Sequence, residues 1–168
     1  MRVAVTGTPG TGKTTATDLV GTDLEVVHVN DVVREEDLVE SVDERRGSLV
    51  ADLDALRERF AGRDDVLFES HLAHHLPADR VVVLRCAPAE LERRLRDRGE
   101  PEAKARENAE SEALDVILSE AVAEHGLDSV YEIDTTDRTP AAVARELERV
   151  VAGERDPSAG EVDFTDYL

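Results

Sequence analysis

Short Val-rich apolar runs recur along the chain at residues 2–6 (RVAVT), 25–29 (EVVHV), 65–69 (DVLFE), 80–85 (RVVVLR) and 130–134 (VYEID). Continuous β-branched and apolar runs of this length read as strands covered on both faces of a parallel sheet. Helical patterns separate them, at about residues 13–20, 31–37, 48–61, 88–98, 102–125 and 140–152. Within 48–61 (SLVADLDALRERFA), Leu49, Leu53, Leu56 and Phe60 recur at helical spacing. Strand and helix thus alternate, which predicts an α/β fold: an open, doubly wound parallel sheet of five strands, with ligands beyond the carboxyl ends of the strands. Residues 153–168 are polar and turn-rich until Phe164, Tyr167 and Leu168, so this segment is expected to be either disordered or pinned by those apolar side chains.

A length of 168 residues suits a single compact domain with room for small mobile inserts. Hydrophobic residues make up 40% of the chain and aromatics only 3%, so the core must be built from Val, Leu and Ala. The net charge of -19 changes the picture more, because Lys13 and Lys104 are the only lysines and the remaining positive charge is arginine. Such an acidic surface repels itself in dilute buffer and is a lever of salt-adapted proteins. A halophilic cytoplasm is therefore expected, with a thermal midpoint that rises between dilute and multimolar KCl. The same charge argues against bare nucleic acid as a ligand, since phosphate-backbone binding needs clustered Lys and Arg. A basic protein partner is compatible with it. Cys86 stands alone, which excludes an intrachain disulfide and a multi-cysteine zinc site. No run approaches a membrane span and residues 1–6 are too short for a signal peptide, so the expectation is a soluble, cytoplasmic protein.

The chemistry begins at Gly7-Thr8-Pro9-Gly10-Thr11-Gly12-Lys13-Thr14, a full match to G-x-x-x-x-G-K-[ST] between a strand and a helix. Phosphate oxygens need converging donors, and small residues at Gly7, Gly10 and Gly12 let backbone N–H groups turn inward. Lys13 would reach the β- and γ-phosphates, the Thr14 hydroxyl would bind Mg²⁺, and the helix start adds partial positive charge. The loop alone does not fix the reaction, but the Asn-Lys-x-Asp segment that reads guanine is absent: Lys104 lies between Ala103 and Ala105.

Glu69 closes the third strand, where a P-loop fold carries an acid toward Mg²⁺ and its waters; Glu reaches one methylene further than Asp, leaving direct or water-mediated contact open. Two residues on, His71 is near enough to the expected phosphates to bond a nucleotide or position water, or else packs at the strand end. His71, His74 and His75 together resemble a metal site, yet no cysteine and no distant ligand pair accompanies them, so zinc is not expected. Transfer between two nucleotides gathers negative charge that arginine must neutralise. Arg34 follows Asn30-Asp31-Val32-Val33 where an acceptor phosphate would sit, and Arg93, Arg94, Arg96 and Arg98 crowd the turn Gly99-Glu100-Pro101, a candidate lid hinge. Pairing of Arg93 and Arg94 with Glu90, Glu92 or Asp97 on a solvated helix face is the competing account.

Taken together, GTPGTGKTT at 7–15, VNDVVREEDL at 29–38, Glu69-Ser70-His71, VVVLRCAPAELERRLRDRG at 81–99 and ENAESEALDVILSEA at 107–121 resemble the adenylate kinase isoenzyme 6 family, the archaeal and nuclear type of adenylate kinase. The resemblance implies a P-loop NTPase fold of three α/β/α layers, a monophosphate-binding insert near residues 30–53 and a short lid near 97–107. It implies a broad monophosphate kinase that uses ATP and Mg²⁺ to convert AMP to ADP. By motif matching, Gly10, Gly12, Lys13, Thr14, Thr15 and the lid residue Arg98 would hold ATP, and Asn30, Asp31 and Arg34 would face the monophosphate. Lys13, Glu69, His71 and Arg98 would serve catalysis, with Thr14 and Glu69 at the metal. Eukaryotic members carry Asp where Glu69 stands. The family is also implicated in small ribosomal subunit maturation, which implies a second possible role: an ATPase assembly factor that binds a basic ribosomal protein.

Overall fold

A computed structural model describes residues 1–45 and 48–168. In chain order, β1 (Arg2–Thr6), α1 (Lys13–Thr17), β2 (Glu25–His28) and α2 (Val29–Glu35) precede the hairpin strands β3 (Val39–Asp43) and β4 (Ser48–Ala51). Then come α3 (Leu53–Arg59), β5 (Val66–Glu69), β6 (Arg80–Arg85), α4 (Pro88–Asp97), α5 (Glu102–Ala113), α6 (Val116–His125), β7 (Val130–Asp134) and α7 (Pro140–Val151).

The five runs identified as strands form one parallel sheet in the order β2-β5-β1-β6-β7. Side chains alternate across a strand, and β1 shows how that builds two cores. Val3 and Val5 point to one face, where Ala16 of α1 and Val143, Leu147 and Val150 of α7 cover them. Ala4 points to the other, into a cluster with Val33 of α2, Leu56 of α3 and Leu118 and Ala121 of α6. The result is the expected three layers, and the phosphate loop sits at the carboxyl end of the central strand. A third, small core of Cys86, Leu91, Leu95 and Ala105 joins α4 to α5; burial raises the Cys86 thiol pKa to about 11.

Several sequence expectations are corrected. Residues 48–51 belong to a strand, not to the helix expected over 48–61: Ser41 pairs with Val50, Val42 with Leu49 and Asp43 with Ser48. The helix starts only at Leu53, because Asp52 caps it, its Oδ1 accepting a bond from the Ala55 N–H at 3.0 Å. Leu49 therefore leaves the helical stripe and lies 51% exposed on the hairpin. The single helix expected over 102–125 breaks at Asp115, whose φ of 54° is left-handed; the break delivers its carboxylate to the Arg85 guanidinium at 2.6 Å. In the second strand-helix unit the strand ends at His28, so α2 starts earlier than expected.

Of the two alternatives for the last segment, the structure favours docking. Ser158 donates its N–H to Val130 O at 3.0 Å and accepts the Glu132 N–H at its Oγ at 2.9 Å, so the segment covers the open edge of β7. Glu161 and Val162 donate their N–H groups to Glu132 Oε2, Phe164 lies 5.3 Å from the Arg85 guanidinium, and the Tyr167 hydroxyl reaches Glu92. Among the described residues, no helix is long and apolar enough to cross a membrane.

Candidate active site

At the carboxyl end of β1 the chain turns sharply at Gly7, φ 148°, where a Cβ would stand 2.6 Å from the backbone oxygen of Leu84. Gly10, φ 94°, is likewise tight: a Cβ there would press on Leu91 at 2.9 Å. These two positions need glycine for the loop to lie against β6 and α4. Lys13 folds back into the loop and donates to Gly7 O at 2.8 Å and Thr8 O at 3.1 Å. Burial lowers its pKa from about 10.5 to about 8, against the opposing pull of Glu69 and Glu112. The ammonium is thus poorly hydrated and held by neutral carbonyls, a state that an incoming polyphosphate would improve. Thr8 donates its hydroxyl to the buried carboxylate of Glu112 at 2.6 Å, anchoring the loop to α5.

Glu69 ends β5 and is buried, and Thr14 Oγ1 donates to its Oε1 at 3.3 Å. A hydroxyl and a carboxylate facing each other are hard oxygen ligands of the type Mg²⁺ takes together with waters and phosphate oxygens, so the donor set fits that ion. The other carboxylate oxygen accepts from His28 Nδ1 at 2.7 Å, while His28 Nε2 lies 3.3 Å from Asp18. The hydrogen bond to Glu69 raises the His28 pKa. Parallel register pairs His28 with Glu69 on adjacent strands, which is how the two meet. A histidine at a strand end one strand away from the acid was the available signal, and composition alone does not reveal it.

His71 is pushed down to about 4, chiefly by burial and then by the charge of Lys13, so it is neutral at physiological pH and acts as a hydrogen-bonding group rather than a cation. Next to it Ser70 donates its hydroxyl to Asn30 Oδ1 at 2.7 Å, which ties the start of α2 to the end of β5.

Among the described residues, clefts open on two sides of the loop. One, of about 420 Å³, is lined by Gly10, Gly12, Thr15, Arg94, Arg98 and Arg138, among others. The other, of about 500 Å³, is lined by Pro9, Asn30, Arg34, His71 and Lys104 together with the β4 hairpin strand. Of the residues singled out in the sequence, Gly10, Gly12, Thr15, Arg94 and Arg98 line the first cleft and Asn30, Arg34 and His71 the second. Lys13, Thr14 and Glu69 line neither cleft and belong to the loop and strand end already described, while Asp31 is exposed, lines neither cleft, and lies 3.8 Å from the Arg34 guanidinium as a surface pair.

The arginine cluster also divides. Arg93 pairs with Glu90 and Asp97, and Arg96 with Glu92 and Glu102, on the solvated face. Arg94 instead turns inward, to Glu90 at 2.6 Å and to Gly10 O and Thr135 O at 3.4 and 3.2 Å. Arg98 lies close enough to Lys13 for its charge to contribute to the lowered lysine pKa.

Comparison with known proteins adds to this geometry. A family model described as AAA domain matches residues 3–115. The chain is 67% identical over 168 residues, the whole of both chains, to a Natronomonas pharaonis protein named "Putative adenylate kinase". It is 63% identical over 169 residues, again covering both chains in full, to a Halobacterium salinarum protein of the same name. Among solved structures, a deoxyadenosine kinase from M. mycoides matches with TM-score 0.59 at 15% identity, over 92% of this chain and 100% of that one. A gluconokinase from Sinorhizobium meliloti 1021 matches with TM-score 0.56 at 18% identity, over 91% and 92%. At those identities the likeness is one of fold, that of P-loop kinases.

Proposed function

Because the chain belongs to the adenylate kinase-like family of AAA-domain proteins, we propose that it is a nucleoside monophosphate kinase that transfers the γ-phosphoryl group of ATP to AMP and yields two ADP. The observation that carries this reading is the pair of clefts on either side of one phosphate loop. A hydrolase needs one nucleotide site, whereas transfer between nucleotides needs two that converge on the phosphates.

ATP fits the cleft beside Gly10, Gly12, Thr15, Arg98 and Arg138, and the monophosphate fits the one with Asn30, Arg34 and His71. Lys13 leaves the carbonyls of Gly7 and Thr8 for the β- and γ-phosphates. Thr14 and Glu69 would hold Mg²⁺, which supplies charge neutralisation at the transferring group. An AMP phosphate oxygen attacks the γ-phosphorus, a new P–O bond forms, and the bond to the β-phosphate oxygen breaks. The attacking oxygen is already anionic, so no side chain need remove a proton. His71, uncharged, is a hydrogen-bond partner for the acceptor, and Arg34, Arg94 and Arg98 balance the gathered negative charge. Residues 30–53, apart from 46 and 47, which lie outside the described residues, form the acceptor insert, and 97–107 form the lid that excludes water.

The assembly-factor reading finds no specific support in the geometry, whereas a two-substrate site has it. A coupled assay with ATP, Mg²⁺ and a panel of monophosphates tests the proposal: AMP is expected to be phosphorylated, and diadenosine pentaphosphate to bind far more tightly than either nucleotide alone. Absence of phosphorylation of every monophosphate would overturn it.

A further inference from the structure

The turn after β5 and the helix α6 bring together three groups that the phosphate chemistry does not use. His74 Nε2 lies 2.9 Å from Glu120 Oε2, and His75 Nε2 lies 3.8 Å from the same oxygen. The three ligand atoms lie within 4.8 Å of one another. A tetrahedral zinc ion with bonds of about 2.0–2.1 Å spaces its ligands about 3.3 Å apart, and the two measured separations bracket that value.

The outward nitrogens are held in the way metal-bound imidazoles usually are. A histidine that ligates through one nitrogen typically donates the other N–H to a fixed acceptor, which sets its tautomer and orientation. His74 Nδ1 is 2.8 Å from the Thr6 hydroxyl, and His75 Nδ1 contacts the Glu124 carboxylate. With Nδ1–H given to Glu124, His75 presents a bare Nε2 lone pair toward the Glu120 carboxylate, beyond hydrogen-bonding reach. A divalent cation placed between these atoms would take the Nε2 lone pair and the carboxylate oxygen together. Glu120 and Glu124 are one helical turn apart on α6, a like-charge pair that is unfavourable by itself. Arg57, 3.9 Å from Glu124, offsets part of that charge and leaves Glu120 as the oxygen available to an ion. Glu120 is about half exposed, which provides a route in.

We propose that His74, His75 and Glu120 form a divalent cation site of the zinc type, separate from the phosphate site, with a fourth position open to water. The sequence showed the two histidines but not their partner, which comes from a helix 46 residues downstream of His74 in the chain. Because His74 also touches Thr6, the residue before Gly7, the ion clamps α6 to the strand that presents the phosphate loop.

The test uses the full chain, stripped with EDTA, in multimolar KCl to screen diffuse binding to the acidic surface and with excess Mg²⁺ to saturate the phosphate site. Calorimetric titration with Zn²⁺ is expected to show one equivalent bound per chain and a raised thermal midpoint. Co²⁺ in its place is expected to give the visible absorption of a four-coordinate site with nitrogen ligands. Glu120→Gln and His75→Gln should each weaken Zn²⁺ binding by about 100-fold or more, Glu124→Gln by about 10–100-fold, and Glu69→Gln should leave it unchanged. The proposal fails if no stoichiometric uptake is seen, if Glu120→Gln and His75→Gln leave uptake intact, or if Glu69→Gln removes it. The Co²⁺ spectrum of the unsubstituted chain decides the matter even where a variant misfolds. None of these readouts depends on kinase turnover.

Discussion

Replacing Lys13 by methionine is expected to lower ATP-dependent turnover by about 10³-fold or more and, at the same time, to make the nucleotide-free protein more stable. The first effect follows from the role proposed for that ammonium at the β- and γ-phosphates. The second follows from what that ammonium costs at rest. Its pKa falls from 10.5 to about 8, and at 1.36 kcal/mol per unit that depression corresponds to about 3 kcal/mol of destabilisation at neutral pH. Methionine keeps the length and removes the charge, while the freed carbonyls of Gly7 and Thr8 return part of the gain, so a net increase of about 1–2 kcal/mol is expected. The sign with pH is fixed by the direction of the shift. The unfolded chain binds the lysine proton more tightly than the folded one, so the cost is fully present below about pH 8 and vanishes as pH rises toward 10.5. The stability difference between variant and parent should therefore shrink over that window. Denaturant melts from pH 7 to 10.5 and nucleotide titration calorimetry check both halves; unchanged ATP affinity and turnover would remove the loop from the phosphate site.

The second large effect is structural. Arg85 ends β6 at 1% exposure and pairs with Glu112 at 2.7 Å, Glu132 at 2.5 Å and Asp115 at 2.6 Å. Methionine at this position would leave two fully buried carboxylates and one half-buried one with no cation, and breaking a buried ionic group from one side costs about 3–5 kcal/mol. That is a large share of a domain's total stability and should lower the thermal midpoint by about 6–20 °C. Arg85→Lys retains the charge but lacks the planar fork that meets three acids at once, so it should fall between the two. Equal melting of parent and Arg85→Met would show that the pairs contribute nothing net. The same Glu112 carboxylate accepts the Thr8 hydroxyl and the Cys86 N–H, so this network also fixes the wall of the phosphate loop.

Much of this was legible in the chain, for identifiable reasons. Parallel strands covered on both sides read as Val-rich runs, and the phosphate loop is a contiguous motif whose function resides in backbone geometry. Gly10, Gly12 and Thr15 accordingly appear together on one side of that loop, and Arg34 and His71 on the other. What escaped depends on neighbours distant in sequence. The β3–β4 hairpin was hidden because Leu49 is spaced from Leu53 and Leu56 as a helix would require, while its pairing with Val42 has no local signature. The break at Asp115 is enforced by Arg85, thirty positions earlier. The tie between His28 and Glu69 follows from strand order, which periodicity does not encode. Asp31 was placed with the acceptor by motif matching, and the turn of α2 leaves its carboxylate at the surface beside Arg34.

Cys86 carries one further consequence. A lone thiol sealed between α4 and α5, and held protonated through the neutral range, reacts with alkylating reagents only as fast as those two helices part. Alkylation at Cys86 is therefore expected to be slow in the folded chain, and its rate to report how often α4 and α5 separate.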